Sequence, residues 1–397
     1  MAHTNRSRAT WLTLLLGTIS ATGPLSIDLY MPALPQMTTQ FHTSASLMQL
    51  SITACLVGLA LGQVFWGPLS DRYGRKKMLL AGFATFAIAS FLITLSHSIG
   101  VLIALRFIQG AAGAAGQVLS RAVTSDLFSG NQLTRFYAML NAVNGLFPII
   151  APLIGGMLIA VVPWEGIFWL LTLIGILITL AVAIGLPESL PMDKRSTGSL
   201  RSSFAAMGKL LTHPRFDAML LVTGLIYAIL FCYISASSFV FQHGFGMSAQ
   251  AFSWLYAMNG LAMALGSAIP ARLVGRLDNR RQLIWVLRLT LLATGCLVLS
   301  LFFPQQLWLV VSLLFIILLL NGAGLTLSGS LILENATANA GSVSALIGLS
   351  QDGLGGLASP LVGLGKPGSY ASMAIWMLIS AALALGLTHT SELKPTV

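Results

Sequence analysis

Charged side chains are scarce in this sequence. Asp, Glu, Lys and Arg make up 8% of its 397 residues, against about a quarter in an ordinary soluble domain. Negatively charged residues are the rarer kind, with 11 Asp and Glu against 21 Lys and Arg. Of all residues 56% are hydrophobic, and the mean hydropathy is +0.86. The bases lie in short clusters between apolar runs, which excludes the continuous basic face of a nucleic-acid-binding protein. The composition predicts a protein embedded in a lipid bilayer.

Residues that bind metals or form disulfides are also few. The three cysteines, Cys55, Cys232 and Cys296, fall in separate apolar runs without metal or disulfide spacing, so each is expected to act as a small hydrophobe. None of the six histidines pairs with another at helical spacing. We therefore expect neither a metal nor a cofactor.

Motifs of ATP hydrolysis and of common membrane enzymes are absent. The sequence contains no GxxxxGK[ST] phosphate loop, so ATP is not expected to supply energy. It also lacks G-x-S-x-G and H-E-x-x-H, the signatures of serine hydrolases and zinc proteases. We predict that the protein is not an enzyme, and an ion gradient remains as its energy source.

Long apolar runs are what the sequence has instead. Twelve occur, each close to the about 20 residues that a helix needs to cross the hydrocarbon core. They cover residues 10–32, 46–66, 78–96, 100–121, 136–160, 166–186, 216–240, 249–270, 283–303, 306–330, 342–363 and 370–388. We predict an all-α membrane protein of twelve transmembrane helices, in which the first run is too long to be a cleavable signal peptide.

A polar segment divides the runs into two sets of six. Residues 187–215 are predicted to form a cytoplasmic linker between an N-terminal bundle, residues 1–186, and a C-terminal bundle, residues 216–397. Gly74-Arg75 recurs as Gly275-Arg276 at the same junction of the second half, which indicates an internal duplication. Nearly all Lys and Arg fall on one side of the twelve spans, which places both termini and the linker in the cytoplasm.

Several short motifs point to one family. GPLSDRYGRKK, from Gly67 to Lys77, is interpreted as a tightly turned loop at the membrane surface, and it resembles the cytoplasmic signature of the major facilitator superfamily. RFIQG, from Arg106 to Gly110, resembles that family's fourth-helix motif, and APLIGG, from Ala151 to Gly156, its fifth-helix antiporter motif. PLSIDLYMPALP, from Pro24 to Pro35, is similar to the drug-proton antiporters of the bicyclomycin-resistance branch, Bcr/CflA. The resemblance implies two pseudo-symmetric six-helix bundles with a binding site between them.

Two charged residues lie inside predicted spans at similar depth. Asp28 is four residues and Arg106 about six residues from the outer end of its span, so both lie roughly 6–9 Å below that surface. A charge at such a depth is costly and marks a functional site. We interpret Asp28 as a proton carrier and Arg106 as the residue that modulates its charge. The alternative is a static buried ion pair that fixes helix packing.

Polar and aromatic residues within the spans are the candidate lining of a substrate cavity. These residues are Tyr30, Gln109, Gln117, Asn141, Asn144, Tyr227, Phe231, Tyr233, Asn259, Asn321 and Gln351. Asp352, near the centre of the eleventh run, joins them, either to bind a cationic substrate or to carry a second proton. For Asp352 the alternative is an ion pair with a neighbouring helix, and for the others it is hydrogen bonding between helices.

The charged block is expected to act as a cytoplasmic gate. Its expected members are Gly67, Asp71, Arg72, Gly74, Arg75 and Asp126. Asp71 is expected to contact the positive N-terminal end of the eleventh helix, and the resemblance implies that Arg75 pairs with Asp126. The alternative is that the bases only orient the protein in the membrane.

The fifth-helix motif also has a physical interpretation. Pro148 and Pro152 each remove a backbone donor and bend the helix, while Gly155 and Gly156 leave one of its faces smooth. Such a helix suits the rocking of one bundle against the other.

Together, the residues and the resemblance predict a proton-coupled secondary transporter, a multidrug efflux antiporter for small amphipathic or antibiotic-like compounds. Its expected partners are that small-molecule substrate, protons and the lipid bilayer, and we expect a monomer in the bacterial cytoplasmic (inner) membrane. One alternative is an exporter of a metabolite such as a nucleoside, amino acid or sugar. Another, from a different class, is a membrane receptor or scaffold that transports nothing.

Overall fold

The protein is helical throughout its described part. The computed structural model describes residues 6–128, 147, 149–195, 214–273, 278–303, 306–334, 340–366 and 368–390, and over these it contains no β-strand. The helices are α1 (Arg6–Asp28), α2 (Leu34–Gln40), α3 (Ala45–Tyr73), α4 (Arg75–Thr94), α5 (Ile99–Leu127), α6 (Ile149–Val161), α7 (Glu165–Gly185), α8 (Pro214–Phe239), α9 (Ala249–Leu273), α10 (Asn279–Leu299), α11 (Leu307–Glu334), α12 (Ala340–Gly363) and α13 (Ala371–Thr390). Short 3-10 turns lie at Met31–Ala33, Met192–Lys194 and Ser300–Phe302, and a π-helical turn, Val240–Gly244, extends α8.

Most of these helices are long enough to cross a membrane. Nine of those in the described ranges are both long and apolar enough, namely α3, α4, α5, α7, α8 with its π-helical turn, α9, α10, α11 and α13. Helices α1 and α12 have 23 and 24 residues, and α6 is a shorter apolar helix. With α2 set aside, the helices match the twelve predicted runs in order. The all-α membrane class is therefore confirmed, and the helix count is consistent with twelve spans.

The charged block from Gly67 to Lys77 is not the loop that the sequence suggests. Helix α3 runs through Gly67 and Pro68 to Tyr73, and α4 begins at Arg75, so Gly74 alone separates the two helices. Gly74 has φ +99°, a conformation that favours glycine. The loop prediction was wrong because glycine and proline were interpreted as turn signals. Near a bilayer, a helix that satisfies its own backbone hydrogen bonds is favoured over an open loop, and proline is tolerated within it.

Contacts between Cα atoms group the chain into two compact units. The first consists of Met1–Tyr30 and Ala54–Ser203, and the second of Met31–Thr53 and Phe204–Val397. Each unit contains its own set of packed helices. The predicted linker over 187–215 stays a prediction, because residues 196–213 lie outside the described part of the chain.

In the first unit, α3 and α5 cross with their backbones in direct contact. A Cβ atom at Gly110 would overlap the carbonyl oxygen of Cys55, and one at Gly58 would overlap the carbonyl oxygen of Phe107. Trp66 Nε1 also donates to the carbonyl oxygen of Ala111 at 2.6 Å. Such close approach of small residues, together with hydrogen bonds, holds helices together where lipid removes the hydrophobic driving force. It fixes the position of α5, which carries Arg106.

In the second unit, α8 is the most enclosed of the nine spans, with 78% of an 18-residue apolar stretch buried. Residues from distant parts of the unit bind it through their side chains. Gln49 Nε2 donates to the carbonyl oxygen of Ser235 at 3.0 Å, and the hydroxyls of Ser235 and Ser359 lie 2.6 Å apart. From the π-helical turn, Gln242 Nε2 donates to the carbonyl oxygen of Pro32 at 3.1 Å. Helix α8 is therefore the central support of this unit.

Candidate functional site

Arg106 is fully buried on α5, within the first unit. Its Nη1 donates to the carbonyl oxygen of Ser26 at 3.2 Å and to Gln109 Oε1 at 2.5 Å. Gln109 Nε2 in turn donates to Ser90 Oγ at 2.7 Å, so the predicted substrate residue Gln109 connects α5 to α4. Arg106 Nε and Nη2 have no hydrogen-bond partner in the described part of the chain. Two nitrogens of a buried cation, which carry three N–H donors, thus remain available.

Aromatic rings enclose the same guanidinium. Arg106 Cζ lies 4.7 Å from the ring centre of Tyr30 and 5.8 Å from that of Phe168. The Tyr30 and Phe168 rings meet edge to face, with their centres 5.5 Å apart. A cation over an aromatic face is stabilised by the ring quadrupole, and more strongly where water is excluded. We call Ser26, Tyr30, Arg106, Gln109 and Phe168 the Arg106 cluster. This cluster therefore stabilises a positive charge in an apolar setting.

Asp28 is the last residue of α1 and is buried. The carbonyl oxygen that accepts from Arg106 belongs to Ser26, two residues earlier. The structure thus brings Arg106 against the final turn of α1, the turn that carries Asp28. The proposed exchange of a proton at Asp28 under the influence of Arg106 stays a prediction.

The candidate residues of the second unit form two groups. In the first group, Tyr233 stacks on Tyr256 with ring centres 5.5 Å apart, and its hydroxyl accepts from Asn259 Nδ2 at 2.9 Å. Asn321 Nδ2 donates to the carbonyl oxygen of Ile226 at 2.7 Å. The side-chain oxygens of Asn259 and Asn321 are buried and have no donor in the described residues. Each amide is therefore held by its nitrogen and keeps an acceptor available.

In the second group, the rings of Tyr227 and Phe231 lie 5.1 Å apart and face Gly355 of α12. A Cβ atom at Gly355 would lie 2.9 Å from the Phe231 ring and 3.2 Å from the Tyr227 ring, so glycine lets the two helices approach. Asp352 is buried one turn earlier on α12, beside half-buried Gln351. An acid close to an aromatic pair is a chemistry that suits an organic cation.

The remaining predicted substrate residues are less informative. Gln117 is half-buried, and its Oε1 accepts from Gln63 Nε2 at 3.0 Å, which links α5 to α3. Asn141 and Asn144 lie outside the described residues. No group of three or more His, Cys, Asp or Glu side chains with metal-binding geometry occurs in the described part of the chain.

The charged block forms an ion-pair cluster around Arg75. Arg75 Nη1 lies 2.6 Å from Asp71 Oδ1 and donates to Ser70 Oγ at 2.5 Å, while its Nε donates to Asp126 Oδ2 at 3.1 Å. The two side chains that were expected to pair, Arg75 and Asp126, are therefore in contact. Gly67 is half-buried, and exposed Arg72 lies over the ring of Tyr73 at 5.4 Å. The gating role of these residues stays a prediction.

Sequence reasoning missed two members of this cluster, Glu188 and Ser189. Glu188 Oε1 accepts from the backbone N–H of Arg75 at 2.9 Å, and its Oε2 lies 3.7 Å from Arg195 Nη2. Ser189 Oγ donates to Asp126 Oδ2 at 2.8 Å. Glu188 thus supplies the N-terminal cap that Gly74, which has no side chain, cannot give to α4. An acid directly after the sixth apolar run was the available signal.

The fifth-helix motif lies on α6 where the structure describes it. Pro152, Gly155 and Gly156 are buried, and Pro148 lies outside the described residues. A Cβ atom at Gly155 would overlap the carbonyl oxygen of Leu29, so α6 packs directly against the chain beyond Asp28. The smooth face that the sequence predicts thus touches the segment next to the Arg106 cluster.

Comparison with known families and relatives agrees with this architecture. Residues 14–360 match the family profile described as the Major Facilitator Superfamily. The chain is 38% identical over 382 residues to an uncharacterized MFS-type transporter, YdgK, of Bacillus subtilis, covering 95% of each protein. It is 29% identical over 400 residues to a bicyclomycin resistance protein homolog of Haemophilus influenzae, covering 98% of this chain and 99% of that protein. With multidrug resistance protein MdtL of Klebsiella pneumoniae it shares 26% identity over 273 residues, 68% of each.

Solved structures share the fold. A bacterial homolog of the human lysosomal transporter Spinster, in an inward-facing and unoccupied conformation, superimposes with a TM-score of 0.74. The match covers 99% of this chain and 100% of that one at 15% sequence identity. At this identity the similarity shows the fold alone.

Proposed function

The chain belongs to the major facilitator superfamily, and from this premise we propose that it is a proton-coupled antiporter that exports small amphipathic or antibiotic-like compounds. The family makes it a multi-pass membrane transporter. The proposal includes proton coupling and the class of substrate. It also includes location in the bacterial cytoplasmic membrane, the cytoplasmic position of both termini and action as a monomer.

The Arg106 cluster is the observation that carries the proposal of proton coupling. A static ion pair in an apolar interior is stable when every donor of the cation is satisfied. Arg106 instead keeps two nitrogens, Nε and Nη2, without a hydrogen-bond partner among the described residues, although it is fully buried. Leaving such donors unpaired costs on the order of 1–3 kcal/mol each. These donors can bind a carboxylate, and the interaction changes when that carboxylate gains or loses a proton.

Asp28 is the group that we propose to supply the changing charge. It is buried at the end of α1, in the turn that Arg106 contacts through Ser26. Burial favours the neutral acid, while a nearby guanidinium favours the carboxylate, so small changes in the surroundings move the proton. When Asp28 gains a proton, its attraction to Arg106 weakens, and a conformation that depended on that attraction loses stability. Proton entry is thereby linked to a change of shape.

Acceptors and aromatic rings in the second unit support the proposed class of substrate. The oxygens of Asn259 and Asn321 accept hydrogen bonds, and the Tyr227 and Phe231 pair offers flat apolar surface. These groups suit a compact molecule with N–H or O–H donors and an apolar body. The bicyclomycin resistance protein homolog and MdtL, named for antibiotic and multidrug resistance, point to the same class.

Transport into inside-out vesicles tests the proposed function. We expect a proton gradient to drive uptake of one or more members of a panel of amphipathic antibiotics by vesicles that contain the protein. Dissipating the gradient with a protonophore is expected to stop this uptake. Uptake confined to nucleosides, amino acids or sugars would support the metabolite exporter instead, and no flux for any compound would support a receptor or scaffold.

Replacing Asp71 with Ala is expected to shift the population away from the outward-open state. The Asp71 side chain is 48% exposed, and Arg75, its ion-pair partner, also bonds Asp126 and Ser70, so the fold is expected to survive its loss. In our proposal its carboxylate closes the cytoplasmic side by contacting the N-terminal end of α12. Distances between spin labels at the cytoplasmic ends of the helices measure the shift.

Lys77→Ala is the matched control for the gate. Lys77 is an exposed charge in the same block, and its removal is expected to leave the distance distribution as in the wild type. If Asp71→Ala also leaves the distribution unchanged, the block serves only to orient the protein.

A further inference from the structure

Helix α10 (Asn279–Leu299) carries one outward face that the proposed function does not use. Arg281, Trp285, Arg288 and Leu292 follow one another at steps of four, three and four residues, which places them on one side of a helix. All four are exposed, Trp285 by 61% and Leu292 by 65%. Only 33% of an 18-residue apolar stretch of this span is buried, the lowest share among the nine spans in the described residues. This face therefore looks onto lipid.

The arginines near the start of α10 point in different directions. Arg280 Nη2 donates inward to the carbonyl oxygen of Thr388 on α13 at 3.4 Å. Arg281 and Arg288 are exposed, and the ion pairs found among the described residues all involve other bases. The acid at this end, Asp278, accepts from the backbone N–H of Arg281 as the helix cap. With one acid against three arginines, this end of α10 keeps an excess of positive charge.

Arg288 lies one turn deeper in the span than Trp285, yet its charge is held at the depth of that ring. Its Cζ is 5.3 Å from the Trp285 ring centre, because helical side chains lean toward the N-terminal end. Tryptophan is enriched where the hydrocarbon meets the headgroups, and a long basic side chain reaches that layer by extending toward it. Arg281 begins about 6 Å closer to the helix start than Trp285 at 1.5 Å per residue. One guanidinium thus lies over the indole, and a second belongs to the same helix face one turn nearer the helix start.

We propose that Arg281, Trp285 and Arg288 form a binding site for the headgroup of an anionic phospholipid. Guanidinium groups bind phosphate oxygens through paired N–H donors, and the indole N–H adds one more donor. The exposed apolar surface of Leu292 and Leu299 continues the same face deeper into the bilayer, where an acyl chain lies. An anionic headgroup satisfies both arginines, whereas the amine of a zwitterionic headgroup brings a third positive charge to them. This inference does not rest on the proposed transport of protons or drugs.

Fluorescence quenching by brominated lipids tests the site. The purified protein is placed in vesicles that contain brominated phosphatidylglycerol or brominated phosphatidylethanolamine, and the signal of a Trp285→Phe variant is subtracted to isolate Trp285. We expect phosphatidylglycerol to bind near Trp285 more tightly than phosphatidylethanolamine by about fivefold to thirtyfold, since each arginine near a membrane surface contributes about a factor of five. In Arg281→Gln/Arg288→Gln this preference is expected to fall close to one.

Three further measurements keep the result interpretable. Lys366→Gln removes an exposed charge that lies beyond the end of α12 and is expected to retain the full preference. Arg281→Gln alone, at the exposed start of α10, is not expected to affect folding and is expected to lose part of it. Inorganic phosphate, compared with chloride at matched ionic strength, is expected to leave it unchanged.

Three outcomes of the quenching experiment would contradict the proposed phospholipid site. Equal quenching by the two lipids in the wild type, or an unchanged preference in the double variant, would overturn the site. A preference that inorganic phosphate abolishes would mean that a free anion, and not a phospholipid, occupies it.

Discussion

Replacing Asp28 with Asn is expected to abolish export driven by a proton gradient while leaving the protein folded and able to exchange one substrate molecule for another. Asn has nearly the same shape as Asp but binds no proton in the physiological range. Because Asp28 is buried at the turn that contacts Arg106, the substitution fixes the site in a neutral state that resembles the protonated acid. The coupling of flux to the gradient is therefore lost. Uptake with and without a pH gradient, and exchange of labelled for unlabelled substrate without one, measure the effect.

Two other acids make the result specific. Asp278→Asn changes an exposed helix cap on α10 and is expected to keep gradient-driven transport. Asp352→Asn changes the other acid buried within a span and decides whether that residue carries a second proton or contacts the substrate. Loss of gradient-driven flux with exchange intact indicates the first role, and loss of both activities indicates the second. Gradient-driven uptake by Asp28→Asn at the wild-type rate would contradict the proposed coupling.

The glycine at the end of the RFIQG motif gives the second large expected effect, on stability. Gly110→Ala places a Cβ atom where the carbonyl oxygen of Cys55 lies, with the Cys55 carbonyl carbon 2.8 Å and its Cα 2.9 Å away. These are backbone atoms of a packed helix, so α3 and α5 must separate. Overpacking of this kind costs about 1–3 kcal/mol, and more where backbone has to move. We expect a lower thermal unfolding midpoint, followed with a dye that reacts with the buried thiols of Cys55 and Cys232.

Gly295 on α10 supplies the matched control. No atom lies within 4 Å of a Cβ added there, so Gly295→Ala meets no obstacle and gains helix propensity of about 0.5–1 kcal/mol. We expect its unfolding midpoint to equal or exceed that of the wild type. If Gly110→Ala unfolds at the same temperature as Gly295→Ala, the close contact between α3 and α5 does not limit stability.

For the charged block, the sequence predicted the position and the family correctly but not the conformation. Its position after the second span and the family that it indicates were correct, because both depend on the order of apolar runs and on a short local pattern. Its conformation was wrong, since the same glycine and proline that signal a turn in water lie inside helix α3 here. The role of Glu188 was missed for another reason. Its partner, the backbone N–H of Arg75, is distant in the chain, and an acid after the sixth apolar run does not by itself indicate that contact.

The Arg106 cluster shows a similar division. Counting residues along two spans predicted that Arg106 and Asp28 lie at similar depth, which stays a prediction. Counting residues could not predict the hydrogen bond to Ser26, the enclosure by Tyr30 and Phe168, or the two unpaired nitrogens of Arg106. They depend on how α1, α5 and α7 pack, and hence on residues that are far apart in sequence.

Composition, run length and short motifs are properties of neighbouring residues. They were therefore enough to predict a membrane protein, the order of its spans and the family to which it belongs. Which of those residues have a partner depends instead on how the helices pack. Gly110 and Gly295 are both glycines within apolar runs, yet an added Cβ atom would overlap backbone at Gly110 and meet no atom within 4 Å at Gly295. Arg280 and Arg281 are adjacent, yet only one bonds α13. Such differences arise from atoms brought within a few ångströms by helix packing, which no local pattern encodes.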